Sequence, residues 1–109
     1  MIISVVEIDM PRGMERAEVD AAIQQTAPRY RNVDGLLYKY YTAKEPDITG
    51  GVFIWKTREQ AEAAYSDPEW LKIIQTCYGT EPRITYYEVK LIVDNILEKI
   101  YTDTEAPNS

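Results

Sequence analysis

The sequence predicts a ferredoxin-like α+β fold: β-α-β-β-α-β, with an antiparallel sheet and the second helical segment broken in two. Three observations predict it. Residues 50–70, GGVFIWKTREQAEAAYSDPEW, spell out strand, helix, break and helix almost residue by residue. Three further runs of β-branched and aromatic residues, at 2–8, 36–42 and 83–93, read as strands around that stretch. Apolar residues at helical spacing fill the gap between the first two of those runs.

In the first strand, Ile2, Val6 and Ile8 share one face while Ile3 and Val5 share the other, the pattern of a strand covered on both sides. Residues 10–13, Met-Pro-Arg-Gly, make a turn. From Met14 to about Tyr30 the positions Val19, Ala22, Ile23, Thr26 and Tyr30 recur at helical spacing. Glu15, Glu18 and Asp20 crowd its first turns, where the helix dipole favours acids. Pro28 ends or bends this helix. Asp34-Gly35 is a turn signal before the strand at 36–42, and residues 44–49, with Pro46 and Asp47, are short enough for a hairpin into the next strand.

Thr57 stands three residues before Gln60, the capping-box spacing, and Ala61, Ala64 and Tyr65 follow as a small-residue face. Asp67 caps the next helix, with Pro68 in the first position, where no amide hydrogen is needed. Trp70, Ile73, Ile74 and Cys77 form an i, i+3, i+4, i+7 stripe that Tyr78-Gly79 stops. The strand at 83–93 is expected to be the longest. Residues 94–101 either extend it or turn into a short helix, and Ile96, Leu97 and Ile100 favour the helix. Residues 1–101 read as one domain and 102–109 as a flexible C-terminal tail. Helices cover one face of the sheet, yet several strands are apolar on both, so the open face predicts a homodimer.

Composition excludes several functions. The formal charge of −6 disfavours nucleic acid and anionic membranes as partners, and no apolar run approaches the length of a membrane span. The single cysteine, Cys77, cannot form an internal disulfide, which with the acidic, leaderless start points to the cytoplasm. There is no histidine. That removes Ser-His and Cys-His nucleophile systems, histidine-held haem and most transition-metal sites, so no metal is expected.

The stretch at 50–70, together with DGLLYKYY at 34–41, resembles the dimeric α/β-barrel superfamily. Within it the likeness is to the YdhR-like branch of monooxygenases, through the Gly-Leu-x-x-Lys strand, the Gly-Gly-x-x-x-Trp strand, the alanine-rich helix and the Asp-Pro-Glu-Trp segment. The resemblance implies a homodimer, a pocket between sheet and helices, and chemistry that includes oxygenation without metal or flavin. The absence of histidine sets this chain apart from relatives that degrade haem or cyclise polyketides with a histidine.

A cofactor-free oxygenase needs an electron-rich, hydroxylated aromatic substrate such as a quinol or anthrone, a group that favours its anion, and a mostly dry pocket. Lys39, Trp55 and Arg83 are the candidate catalytic residues. Lys39 or Arg83 would stabilise an oxyanion, and a lysine desolvated beside aromatic rings could act as base. Tyr38, Tyr40, Tyr65 and Trp70 are the candidate substrate-binding residues, able to wall an aromatic pocket. Tyr38 and Tyr40 share one face of their strand and Lys39 takes the other with Leu37 and Tyr41; which face lies under the helices stays open. A cyclase or isomerase using the same pocket, and a non-catalytic small-ligand-binding dimer, are the alternatives.

Overall fold

A computed structural model describes residues 1–11 and 13–102. Strand β1 (Ile2–Asp9) leads through a turn closed by the Met14 amide on the Pro11 carbonyl into helix α1 (Arg16–Thr26). The helix starts two residues later than the acidic run suggests. At its far end Pro28 tightens the chain into a 3₁₀ turn, Ala27–Tyr30, because proline has no amide to extend the α-helical ladder.

Strands β2 (Leu36–Lys44) and β3 (Ile48–Trp55) form the expected hairpin, with only residues 45–47 between them. Helix α2 (Arg58–Tyr65) is capped by Thr57, whose hydroxyl accepts from the Gln60 amide at 3.2 Å. Helix α3 (Pro68–Tyr78) is capped by the Asp67 carboxylate, which accepts from the Glu69 amide at 3.0 Å. It ends at Gly79, whose left-handed φ of 67° an L side chain rarely tolerates. Strand β4 (Arg83–Glu88) completes a sheet of order β2-β3-β1-β4, every neighbouring pair antiparallel. This is the ferredoxin-like arrangement that the sequence predicts.

The C-terminal expectation is corrected. β4 stops at Glu88, because β1, its one partner among the described residues, runs out at Ile2 opposite that residue. Beyond it β5 (Ile92–Asp94) and β6 (Lys99–Tyr101) pair with each other as a separate hairpin, neither a longer strand nor a helix. Asp94 decides the matter: its carboxylate accepts from the amides of Ile96 and Leu97, each at 2.9 Å, and this local turn outcompetes the weak helical spacing. Of the tail expected at 102–109, residues 103–109 lie outside the described residues.

The core lies between sheet and helices. Val6, Ile8, Phe53 and Trp55 from the strands meet Ala61, Tyr65, Trp70 and Ile74 from α2 and α3. The opposite face carries two cross-strand rows, Tyr38-Ile54-Ile3-Tyr87 and Tyr40-Val52-Val5-Thr85. At its rim Arg83 grips Asp9 and Lys44 reaches Glu7. Glu88 pairs with Lys90.

Candidate active site

Lys39 stands directly opposite Phe53 in the β2–β3 register, and the next inward position pairs Tyr41 with Gly51 and Gly51 with Val6. Gly51 has no side chain to fill the gap above the sheet, so a hollow of about 50 Å³ opens there beneath α1 and α3. A Cβ at Gly51 would lie 3.0 Å from the Tyr40 carbonyl oxygen, 3.1 Å from the Phe53 ring and 3.6 Å from Lys39 Cε. Gly50 beside it is more tightly constrained, since a Cβ there would fall 1.8 Å from the Val6 carbonyl oxygen. The glycine pair thus serves the site as much as the strand.

The Lys39 stem crosses this gap and places its amine among rings. Nζ is 3.1 Å from the Tyr30 ring centroid, 4.0 Å from that of Tyr41 and 4.7 Å from that of Phe53. Ring faces attract an ammonium, but among the described residues no carboxylate forms an ion pair with it. Burial, and then the nearby Arg29 charge, push its pKa down to about 7. The surrounding phenols move the other way, for burial raises Tyr30 and Tyr41. Near neutral pH the amine is therefore divided between charged and neutral forms while those phenols keep their protons.

Tyr30 also accepts a 3.0 Å hydrogen bond from Trp70 Nε1. This tied pair is a partition. On its far side lies a second hollow of about 100 Å³, lined by Tyr30, Phe53, Trp55, Tyr65 and Trp70, with the Arg29–Asp67 ion pair among its walls. Behind it the fully buried Ser4 accepts from Trp55 Nε1 at 2.9 Å and shares a 2.5 Å hydrogen bond with the Tyr65 hydroxyl. Burial raises the Tyr65 pKa strongly, so this phenol holds the network as a neutral group.

The candidate residues separate by sheet face. Lys39 and Trp70 line the first hollow, and Trp55, Tyr65 and Trp70 line the second. Tyr38 and Tyr40 lie on the open face, more than half exposed and stacked on each other. Arg83 is on that face too, in a two-pronged bond to Asp9 at 3.0 and 3.1 Å. Sequence reasoning missed Ser4, although a lone serine among the inward apolar residues of a strand is a usable signal for a buried hydrogen bond. It also missed that Tyr30 and Tyr41, from separate elements, close on Lys39.

Solved structures of similar shape exist. One, from Deinococcus radiodurans, carries the provisional name antibiotic biosynthesis monooxygenase; it is 17% identical, with a TM-score of 0.66 over 86% of this chain and 97% of that one. The fold is that of the antibiotic biosynthesis monooxygenases. A second protein with this provisional name, from Bordetella bronchiseptica, is 17% identical, covering 80% of this chain and 95% of its own at a TM-score of 0.59. An MhuD mutant with two manganese protoporphyrin IX molecules per active site is 19% identical, covering 87% and 100% at 0.66. No family model matches the chain, and no curated protein does. Among the described residues, no helix is long and apolar enough to cross a membrane, and no cluster of acids and cysteine could hold a metal ion.

Proposed function

We propose that this chain is a cofactor-free monooxygenase of the YdhR-like kind, acting as a homodimer on a hydroxylated, quinol- or anthrone-like aromatic ring. The observation that carries the reading is the Lys39 amine, held in an aromatic hollow without a carboxylate partner. As a neutral amine it takes the phenolic proton, and as the resulting ammonium it stays beside the oxyanion it has made. The anion hands one electron to oxygen, and the radical pair joins into a hydroperoxide. Loss of water from an anthrone-type hydroperoxide leaves the ketone, so one oxygen atom enters the product and the other leaves as water. Trp55, Tyr65 and Trp70 hold the ring and keep water away. On this reading Arg83, Tyr38 and Tyr40 serve the dimer face instead.

Neither hollow alone holds a ring. They share Tyr30, Phe53 and Trp70 as walls, and a turn of the Tyr30–Trp70 partition would join them. The joined chamber would approach the roughly 150 Å³ that suffices for benzene in an engineered cavity, room for a single quinol ring, and an anthrone's three rings need the helices to open further. A porphyrin such as the MhuD structure binds does not fit: the chain has no histidine, and the hollow beside Lys39 is about 50 Å³. That small volume also favours a second reading, a dimer that holds a small ligand without transforming it.

Oxygen uptake with anthrone and quinol substrates, with and without chelator, tests the first reading. Turnover that survives the chelator and drops at least about tenfold in Lys39→Met supports it. No turnover across the panel, with a ligand recovered unchanged by mass spectrometry, favours the second.

A further inference from the structure

The hollow holds an amine in a setting that suits chemistry other than proton transfer. We infer that Lys39 is a covalent capture site for small, unhindered aldehydes, which it binds reversibly as an imine. The observations are geometric. Nζ ends in a recess of about 50 Å³ whose nearest walls are the faces of Tyr30, Tyr41 and Phe53. No carboxylate among the described residues ties the amine down, whereas Lys44 and Lys90 are each paired with an acid. The Tyr41 hydroxyl lies 3.3 Å from that of Thr26, and both residues line the recess, so two hydroxyl-bearing side chains share it with the amine. A desolvated lysine of this kind is the usual source of Schiff-base nucleophiles.

The step balances without an oxidant. The Nζ lone pair adds to the carbonyl carbon, the oxygen takes up a proton, and the nitrogen gives one up to form a carbinolamine. The hydroxyl then leaves as water while the C=N bond forms, and hydrolysis reverses the sequence. The recess limits the partner to a few heavy atoms unless the Tyr30–Trp70 partition moves. The titratable and charged groups around Nζ are Arg29 and Tyr30 from the 3₁₀ turn, Tyr41 from β2, and Cys77 and Tyr78 from α3. Burial holds the phenols of Tyr30, Tyr41 and Tyr78 in their neutral form at pH 7. The neutral fraction of Lys39, half at about pH 7, therefore sets the rate.

The test uses the folded full chain with limiting acetaldehyde and cyanoborohydride, which traps the imine as an ethyl group on nitrogen, followed by peptide mass mapping from pH 6 to 10. The chain has five other lysines as internal references. Lys39 should be labelled at least about tenfold faster than they are at pH 7, because an exposed lysine is neutral in only roughly one molecule in a few thousand there. Because the reduction step is common to all of them, the ratio of Lys39 labelling to theirs should hold steady below about pH 7 and fall above it as the others lose their protons, and urea should abolish the preference. Gly51→Ala should slow Lys39 labelling several-fold and leave the other lysines unchanged. A naphthaldehyde probe should label exposed lysines and spare Lys39. Labelling of Lys39 no faster than its neighbours, or an equal pattern in folded and unfolded chain, would overturn the inference. Trapping needs no oxygen, so it can succeed where oxygen uptake fails, and the reverse.

Discussion

Lys39 sets a pH dependence of stability. An unfolded lysine keeps its proton up to about pH 10.5, whereas the folded one releases it above about 7. Between those values the unfolded chain binds more protons, so stability rises with pH across the window and is lost as pH falls through 7. Above about pH 10 the buried tyrosines reverse the trend, since burial raises their folded pKa and the unfolded phenols ionise first. Lys39→Met should therefore stabilise the protein at pH 6, on the order of 2 kcal/mol once the residue's partial exposure is allowed for, and the gain should shrink towards pH 10. Urea titrations at a series of pH values check this; a gain that does not change with pH would contradict the desolvated amine. Ser4 is the opposite case. Ser4→Ala strands the Trp55 indole N–H and removes a partner of the Tyr65 hydroxyl in a buried place. The cost should be about 1–3 kcal/mol, seen as a lower Tm in a thermal melt.

At the scale of elements, what the sequence made legible was local. The Thr57 and Asp67 caps, Pro68 in the first helical turn and the Gly79 stop depend on contacts a few residues apart, and each fell where its spacing placed it. What escaped was anything that two distant segments decide. β4 was read too long because its end is set by where β1 stops. The inward face of β2 could not be read because Tyr38, Tyr40, Leu37 and Tyr41 make both faces aromatic or apolar. A register shift between Leu36 and Tyr38 adds to the difficulty, for it lets Leu36 and Lys39 both turn towards the helices. The glycine pair in β3 was visible as the opening of a strand, but its second task, leaving room for Lys39, needed the cross-strand register. Gly50→Ala should destabilise by more than about 2 kcal/mol, because its Cβ meets backbone that cannot move aside. Gly51→Ala should cost less stability and yet reduce turnover, because its Cβ enters the hollow. Equal losses in a paired melt and activity assay would argue against that division.

At the scale of the molecule, the open face argues for a second copy. Its centre is two rows apolar except for Thr85 at one end and its rim two ion pairs, the anatomy of an interface with an apolar core and a polar edge. In projection, four strands about 4.8 Å apart and six residues long span roughly 400 Å². A standard interface needs about 800 Å² per partner. The β5–β6 hairpin can close that gap, for Val93 and Ile100 are more than half exposed and directly paired, and an isolated two-stranded hairpin is marginal in water. Ile54→Lys puts a charge at the centre of the face without touching the helix side, and Val93→Asp with Ile100→Asp does the same to the hairpin. Sedimentation across a range of protein concentrations should show a dimer for the parent chain, a monomer for Ile54→Lys and at least about tenfold weaker association for the hairpin variant, all with native circular dichroism. Because Lys39 and its rings lie on the opposite face, the Ile54→Lys monomer should still label at Lys39. Loss of that labelling in a folded monomer would mean that the hollow is completed only by the partner.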